Sequence, residues 1–185
     1  MFIDNGVLYV GSSDNKLYAV NAVTGEQLWQ FETGDKIWAK PAVHNGTVYI
    51  GSFDRKMYAL NASTGLPENG FSAFEAGGAI LCAPLIHNDT LYFGSLDQNF
   101  YAIDAITGQP KQGFTTFKAD NWFWAQAIAY DESIIAVSLG GRVYALDGES
   151  GRELWAVEVE GAVRGTPVLV KDRVVIGTDE GNNTG

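Results

Sequence analysis

The sequence predicts an all-β protein, a β-propeller built from four-stranded antiparallel blades. Three observations support that fold class. A unit of about 40 residues recurs along the chain, its short segments are rich in Val, Ile, Tyr and Phe, and tight-turn residues separate those segments. Because one unit of this size cannot bury both faces of its own sheet, neighbouring units must stack against each other.

The period is marked by residues that return at nearly constant spacing. Four tyrosines follow one another at steps of 40, 43 and 43 residues, namely Tyr18, Tyr58, Tyr101 and Tyr144. The same steps separate four turn glycines, Gly25, Gly65, Gly108 and Gly151. Such agreement over most of the chain indicates a repeat architecture rather than a single catalytic motif.

This period predicts one domain over residues 1–185. Its blades are expected at 2–35, 36–78, 79–121 and 122–161, with a half blade at 162–185. Related rings close with about six to eight blades, so the chain supplies about four and a half blades of a partial ring or of one completed by another copy. An open ring exposes apolar blade faces, which predicts self-association.

Within each unit the elements follow one order, and the second unit shows it best. Strands are predicted at 38–44, 47–52, 56–60 and 71–75. The pairs Asn45-Gly46 and Asp54-Arg55 join the first three strands, because these residues tolerate tight hairpin geometry. No segment keeps a 3.6-residue period, so helices should be nearly absent.

The connection between the third and fourth strands carries a motif. In AVNAVTGEQLW (19–29) and ALDGESGRELW (145–155), an Asn or Asp caps the turn and the glycine takes a positive φ. Trp29 and Trp155 then project against the neighbouring blade. Phe71 and Phe114 take the aromatic position in the second and third units, after an insertion.

This eleven-residue pattern resembles the tryptophan-docking motif of the quinoprotein-type (PQQ-like) β-propeller repeats, over essentially the whole chain. Similarity to the BamB-like members implies a non-catalytic scaffold that binds protein or carbohydrate in an extracytoplasmic place: periplasmic, cell-surface or secreted. The resemblance leaves two alternatives. One is a fragment of a PQQ-dependent alcohol or sugar dehydrogenase, which would use PQQ with calcium. The other is a sensor domain of a larger protein.

The residues themselves favour a non-enzymatic role. Asp14, Asp54 and Asp97 share one turn position, and His44 and His87 share the end of the first strand, so turn chemistry and surface packing explain them. The single cysteine excludes an intrachain disulfide. We therefore expect no catalytic residue, no metal site and no resident cofactor.

The residues that fail to repeat are the candidates for binding. The segment ADNWFWAQ (119–126) brings Trp122 and Trp124 to the start of an inner strand. The remaining candidates lie in or near the same columns of the repeat, namely Trp38, Lys40, Gln126 and Arg164. These side chains should line one mouth of the central funnel, where propellers bind ligands. Aromatic plugging of the channel is the alternative.

Composition argues against several partners. The 22 acidic and 12 basic residues give a net charge of -10, which opposes binding to nucleic acid. No apolar run approaches the roughly 18 residues of a membrane span. The first residues also lack the basic and apolar regions of a signal peptide.

Overall fold

The computed structural model describes residues 1–179, and within them it contains strands and turns but no helix. Four four-stranded antiparallel sheets and one two-stranded sheet follow one another along the chain. The predicted all-β class is confirmed, and the molecule is an open, partial propeller. Residues 180–185, the end of the predicted half blade, lie outside the described residues.

The first blade consists of β1 (Phe2–Asp4), β2 (Val7–Gly11), β3 (Lys16–Asn21) and β4 (Gln27–Glu32). The second consists of β5 (Ala42–His44), β6 (Thr47–Gly51), β7 (Lys56–Asn61) and β8 (Phe74–Glu75). The third consists of β9 (Leu85–His87), β10 (Thr90–Gly94), β11 (Asn99–Asp104) and β12 (Phe117–Lys118). The fourth consists of β13 (Ile128–Tyr130), β14 (Ser133–Val137), β15 (Arg142–Asp147) and β16 (Glu153–Glu158). A half blade follows, with β17 (Val168–Val170) and β18 (Arg173–Val175).

All four complete blades share one register. A large residue of the second strand faces an alanine of the third, in the pairs Tyr9–Ala19, Tyr49–Ala59, Tyr92–Ala102 and Ile135–Ala145. Each of these side chains is buried. The repeated large and small pairs give every blade the same thickness, which lets successive blades stack alike.

Three strands of the second blade are shorter than the sequence predicts, one of them by a single residue, since β6 ends at Gly51 and not at residue 52. The strand expected at 38–44 begins only at Ala42, because Pro41 has no N–H for a ladder and the chain bends ahead of it. The strand expected at 71–75 is reduced to Phe74–Glu75. Its place along β7 is taken in part by the insertion, through a bridge between Leu60 and Pro67.

The hydrophobic core lies between the blades. One buried cluster joins the first and second blades, another the second and third, and a third joins the third and fourth. The contact is close at the end of β6, where a Cβ on Gly51 would overlap Ile80 of the next blade. At the corresponding contact of the fourth blade, Val137 stands in place of the glycine and Val163 in place of the isoleucine. Where the residue on one blade is larger, the residue that faces it on the next blade is therefore smaller, which keeps each interface closely packed.

Carboxylates tie the turns of one face to the loops between blades. In the second blade, Asp54 accepts hydrogen bonds from the Tyr58 hydroxyl at 2.6 Å and from the Gly34 amide at 2.7 Å. In the fourth blade the turn carries Gly140, and the carboxylate comes from Asp120 of the loop, which occupies the column of Gly34. Asp120 accepts hydrogen bonds from Tyr144 and Ser138 at 2.7 and 2.9 Å. In both blades a single carboxylate forms these hydrogen bonds, and it comes either from the turn itself or from the loop that faces the turn.

Candidate binding cleft at the inner mouth

The loops that enter the inner strands converge on the axis of the arc. The inner strands β5, β9, β13 and β17 are neighbours in turn, so the loops before them lie side by side. They enclose a cleft of about 210 Å³, which we call the mouth cleft. It is lined by Trp38, Lys40, Leu81, Cys82, Ala83, Trp124, Ala125, Gln126, Arg164 and Thr166. Five of the six predicted mouth residues are therefore brought together.

Trp38 is held in place although it is 56% exposed. Its indole N–H donates to the Ser13 hydroxyl at 3.1 Å, and its ring meets the Phe53 ring edge-on at 4.7 Å between centroids. Ser13 belongs to the first blade and Phe53 to the second. The ring therefore bridges two blades, while more than half of the residue stays exposed to solvent.

Polar side chains supply the rest of the cleft. The Lys40 ammonium lies 5.4 Å from the centroid of the Phe2 ring. The Gln126 amide donates to the Pro84 carbonyl at 3.0 Å, and Arg164 forms an ion pair with Asp179. The cleft thus combines two tryptophan rings with two cationic groups and a fixed amide.

Trp122 does not line the mouth cleft. Phe123 between the two tryptophans forms only an isolated bridge, to Ser138, so the two-residue alternation of a strand does not apply here. Trp122 shares its repeat column with Lys36 and Ala79, which do not line the cleft. Trp122 lies beside the turn of the fourth blade, where its carbonyl accepts from the Leu139 amide at 2.7 Å. Its side chain is 45% exposed.

The cysteine in the cleft wall is buried and its thiol is hydrogen-bonded. The Cys82 thiol donates to the Gly94 carbonyl at 3.2 Å. Burial raises the pKa of Cys82 to about 11, so the thiolate is scarce at neutral pH. Cys82 shares a repeat column with Ala39, Ala125 and Gly165, a column of small residues beside the axis.

Three of the four predicted docking aromatics, Trp29, Phe71 and Phe114, lie against the turn glycine of the next blade. The Trp29 indole N–H donates to the Ala62 carbonyl of the second blade at 2.9 Å, and a Cβ on Gly65 would lie 2.6 Å from the Trp29 ring. The rings of Phe71 and Phe114 lie against the next turn glycines in the same way. Gly25, Gly65, Gly108 and Gly151 all have φ between 72° and 74°.

The two ends of the arc differ from these interior contacts. Trp155 is 47% exposed, whereas Trp29 is 8% exposed. A Cβ on Gly25 would meet no atom of the described residues within 4 Å. The same motif is therefore buried at one interface and open at the ends.

The histidines lie at the opposite edge of the sheets. His44 and His87 contact the amides of Asn45 and Asn88, at 2.9 and 3.2 Å.

Over residues 1–179, no group of three His, Cys, Asp or Glu side chains is placed to hold a metal ion. The part of the chain that the structure describes has no helix long and apolar enough to cross a membrane. Chemically, the mouth cleft is suited to binding.

Comparison with protein families gives one match across the chain. The profile described as outer membrane protein assembly factor BamB matches residues 1–112 and 110–185. A comparison with curated protein sequences finds no match.

Among solved structures, BamB from Moraxella catarrhalis is similar at 20% identity with a TM-score of 0.79, covering 94% of this chain and 52% of that one. The computationally designed protein Ika8 is similar at 16% identity with a TM-score of 0.80, covering 96% and 54%. The chain spans about half the length of each. At these identities the likeness shows the shared propeller fold.

Proposed function

The chain belongs to the family of the outer membrane protein assembly factor BamB, and from that premise we propose that it is a non-catalytic propeller module whose mouth cleft binds protein. One observation carries the proposal. Residues from four successive units converge on a single cleft, and they include Trp38 and Trp124 with two cations and an amide. Tryptophan and arginine are the residue types that dominate protein-binding energetics.

The ligand we propose is an extended segment of an outer membrane protein. The family's description names the assembly of such proteins. A strand of an outer membrane barrel alternates apolar or aromatic residues with polar ones. The tryptophan rings would receive the apolar residues, while Gln126 and the cations would bind the backbone and polar side chains. The family also supports a location outside the cytoplasm, which fractionation of cells expressing the protein would check.

We propose that the cleft holds no resident cofactor. PQQ with calcium would need carboxylate or carbonyl oxygens to hold the cation. The polar side chains of the mouth cleft are instead those of Lys40, Gln126, Arg164 and Thr166. Only Gln126 and Thr166 among them carry an oxygen that could bind calcium, and two cations lie in the same lining without a carboxylate, so these groups do not fit a calcium site. Saturable binding of PQQ with calcium, accompanied by dye-linked alcohol oxidation, would overturn the non-catalytic proposal.

The binding proposal is tested with a synthetic ten-residue peptide of alternating aromatic and polar residues, followed by tryptophan fluorescence and calorimetry. Trp124→Ala should weaken binding by about tenfold, because a central aromatic anchor is lost. Trp122→Ala is the matched control, since that tryptophan lies outside the cleft. Equal weakening by both variants, or no binding by the unaltered protein, would contradict the proposal. Binding of a linear oligosaccharide with the same variant pattern would instead assign the cleft to carbohydrate.

We further propose that the open ends associate with a second copy. Large apolar side chains are exposed on the fourth and half blades, namely Trp155, Val157, Val168, Val170 and Val175. Exposed apolar surface of this kind favours association. Sedimentation at increasing concentration should show a dimer, and Trp155→Glu should shift the protein toward monomer. A monomer at all concentrations would refute this proposal and leave the mouth cleft unaffected.

A further inference from the structure

A second cleft lies at the opposite edge of the sheets, between the second and third blades. It encloses about 260 Å³. The second blade contributes His44, Thr47 and Glu68, and the third contributes Asp89 and Ile106. The Thr47 hydroxyl donates to Glu68 at 3.2 Å, and His44 lies 4.0 Å from Asp89. We call this the interblade cleft.

The next interface along the chain shows what the same position holds when it is filled. Between the third and fourth blades, the column of Glu68 carries Lys111. The Lys111 ammonium lies 3.3 Å from a Glu149 oxygen and 3.5 Å from the Thr90 hydroxyl. Its side chain is only 17% exposed. Thr90 occupies the column of Thr47, so the two interfaces share the same hydroxyl.

In the interblade cleft, Glu68 stands where Lys111 stands in the next interface. The cleft is therefore open, and its charge is more negative at this position. The column of Glu149 carries Ile106 there, so a carboxylate replaces the lysine and no carboxylate faces it from that column. Asp89, whose column holds Glu132 in the next interface, is the second carboxylate of the cleft. We propose that the interblade cleft binds a lysine side chain of a protein partner, whose ammonium takes the place that Lys111 fills in the neighbouring interface. Glu68 and Thr47 receive the ammonium, and Asp89 lies on the other wall.

The electrostatic environment favours this ligand. Burial raises the pKa of Tyr49, which also lines the cleft, and the charges of Glu68 and Asp89 raise that pKa further. Both carboxylates therefore act on the interior of the cleft. The net charge of -10 attracts a basic partner over a longer range. Ile106 is exposed at the rim and offers an apolar contact for the methylene stem of a lysine.

The test uses N-acetyl-lysine methylamide as the probe and N-acetyl-norleucine methylamide as its neutral counterpart. With the whole chain in ¹⁵N-labelled form, the lysine probe should shift the amide resonances of lining residues such as Thr47, Glu68 and Ile106 in a saturable manner up to about 50 mM. The norleucine probe should not. Glu68→Gln should weaken binding by about three- to tenfold, because a charge-assisted hydrogen bond is lost.

Two variants serve as controls. Glu149→Gln removes the carboxylate of the neighbouring interface and should leave binding at the interblade cleft unchanged. Glu68→Lys combined with Ile106→Glu recreates the Lys111–Glu149 pair and should abolish binding while the remaining resonances keep their dispersion. Absence of saturable shifts, equal shifts with norleucine, or equal weakening by Glu149→Gln and Glu68→Gln would each overturn the proposal. Because the mouth cleft lies at the other edge, none of these results alters its own test.

Discussion

Replacing Trp29 with alanine tests whether the repeated tryptophan stabilises the stacking of blades. Trp29 is 8% exposed and its indole donates to Ala62 of the next blade. Trp155 occupies the same position of the motif but is 47% exposed. The chain therefore contains its own control, in which the residue and the motif are the same and only the burial differs.

The structure gives the expected magnitudes. Loss of a buried tryptophan costs about 3–5 kcal/mol, since both burial and packing are lost. Trp155→Ala should cost less than about 2 kcal/mol, because about half of that side chain is already in contact with water. Trp29→Phe keeps a ring, as in the second and third blades, but loses the hydrogen bond to Ala62. It should cost about 1 kcal/mol from that bond, in addition to the smaller ring.

Equilibrium unfolding in urea is the assay, at a protein concentration where sedimentation shows the monomer, so that Trp155 is not covered by a second copy. Unfolding is followed by tryptophan fluorescence and far-ultraviolet circular dichroism. With a slope of about 2 kcal/mol per molar urea, Trp29→Ala should lower the midpoint by about 2 M. Trp155→Ala should lower it by less than about 1 M. Equal shifts for the two alanine variants would refute the argument, because burial at the blade interface would then not determine the contribution.

Three further predictions concern the turn carboxylates and the buried cysteine. Asp120→Gly and Gly140→Asp should each destabilise the fourth blade, whereas the double variant recreates the arrangement of Gly34 and Asp54 and should recover about 1–3 kcal/mol, measurable as a double-mutant cycle. Burial raises the pKa of Asp97, but hydrogen bonds from Tyr101 and Asn99 outweigh it and hold that pKa below its ordinary value. Stability should therefore be retained above about pH 4 and fall on further acidification, as urea midpoints across that range would show. Cys82, whose pKa burial raises to about 11, should react with an aromatic disulfide reagent at neutral pH only after denaturation.

Most of the fold could be predicted because its determinants are local. Hairpin residues such as Asn45 and Arg55 adopt the positive φ values that tight turns need, at 48° and 74°. The first and last residues of the strands could be predicted less well, because strand pairing depends on partners far along the chain. β8 is short since the insertion before it bonds to β7 in its place, through Leu60 and Pro67.

Each candidate site is formed by residues from different units, which lie far apart in the sequence. The repeat columns were sufficient to group Trp38 with Trp124, and the mouth cleft contains both. They also separate Trp122 from Trp124, because Trp122 shares its column with Lys36 and Ala79, which do not line the cleft. That distinction was missed when the two tryptophans were grouped by their nearness in the sequence. The interblade cleft had a visible signal in the exchange of Glu68 for Lys111, but its meaning needed the neighbouring ion pair.

The sequence by itself determined the repeat, the class of fold and the residues of each turn, because a period of about 40 residues and tight-turn chemistry are properties of the chain alone. The tertiary structure alone decided which copy of each repeated residue is buried and which is open. Trp29 meets a following turn and Trp155 remains half exposed, although their local sequences are alike. Burial is a property of the neighbouring blade, and a blade's neighbour is set only when the units stack.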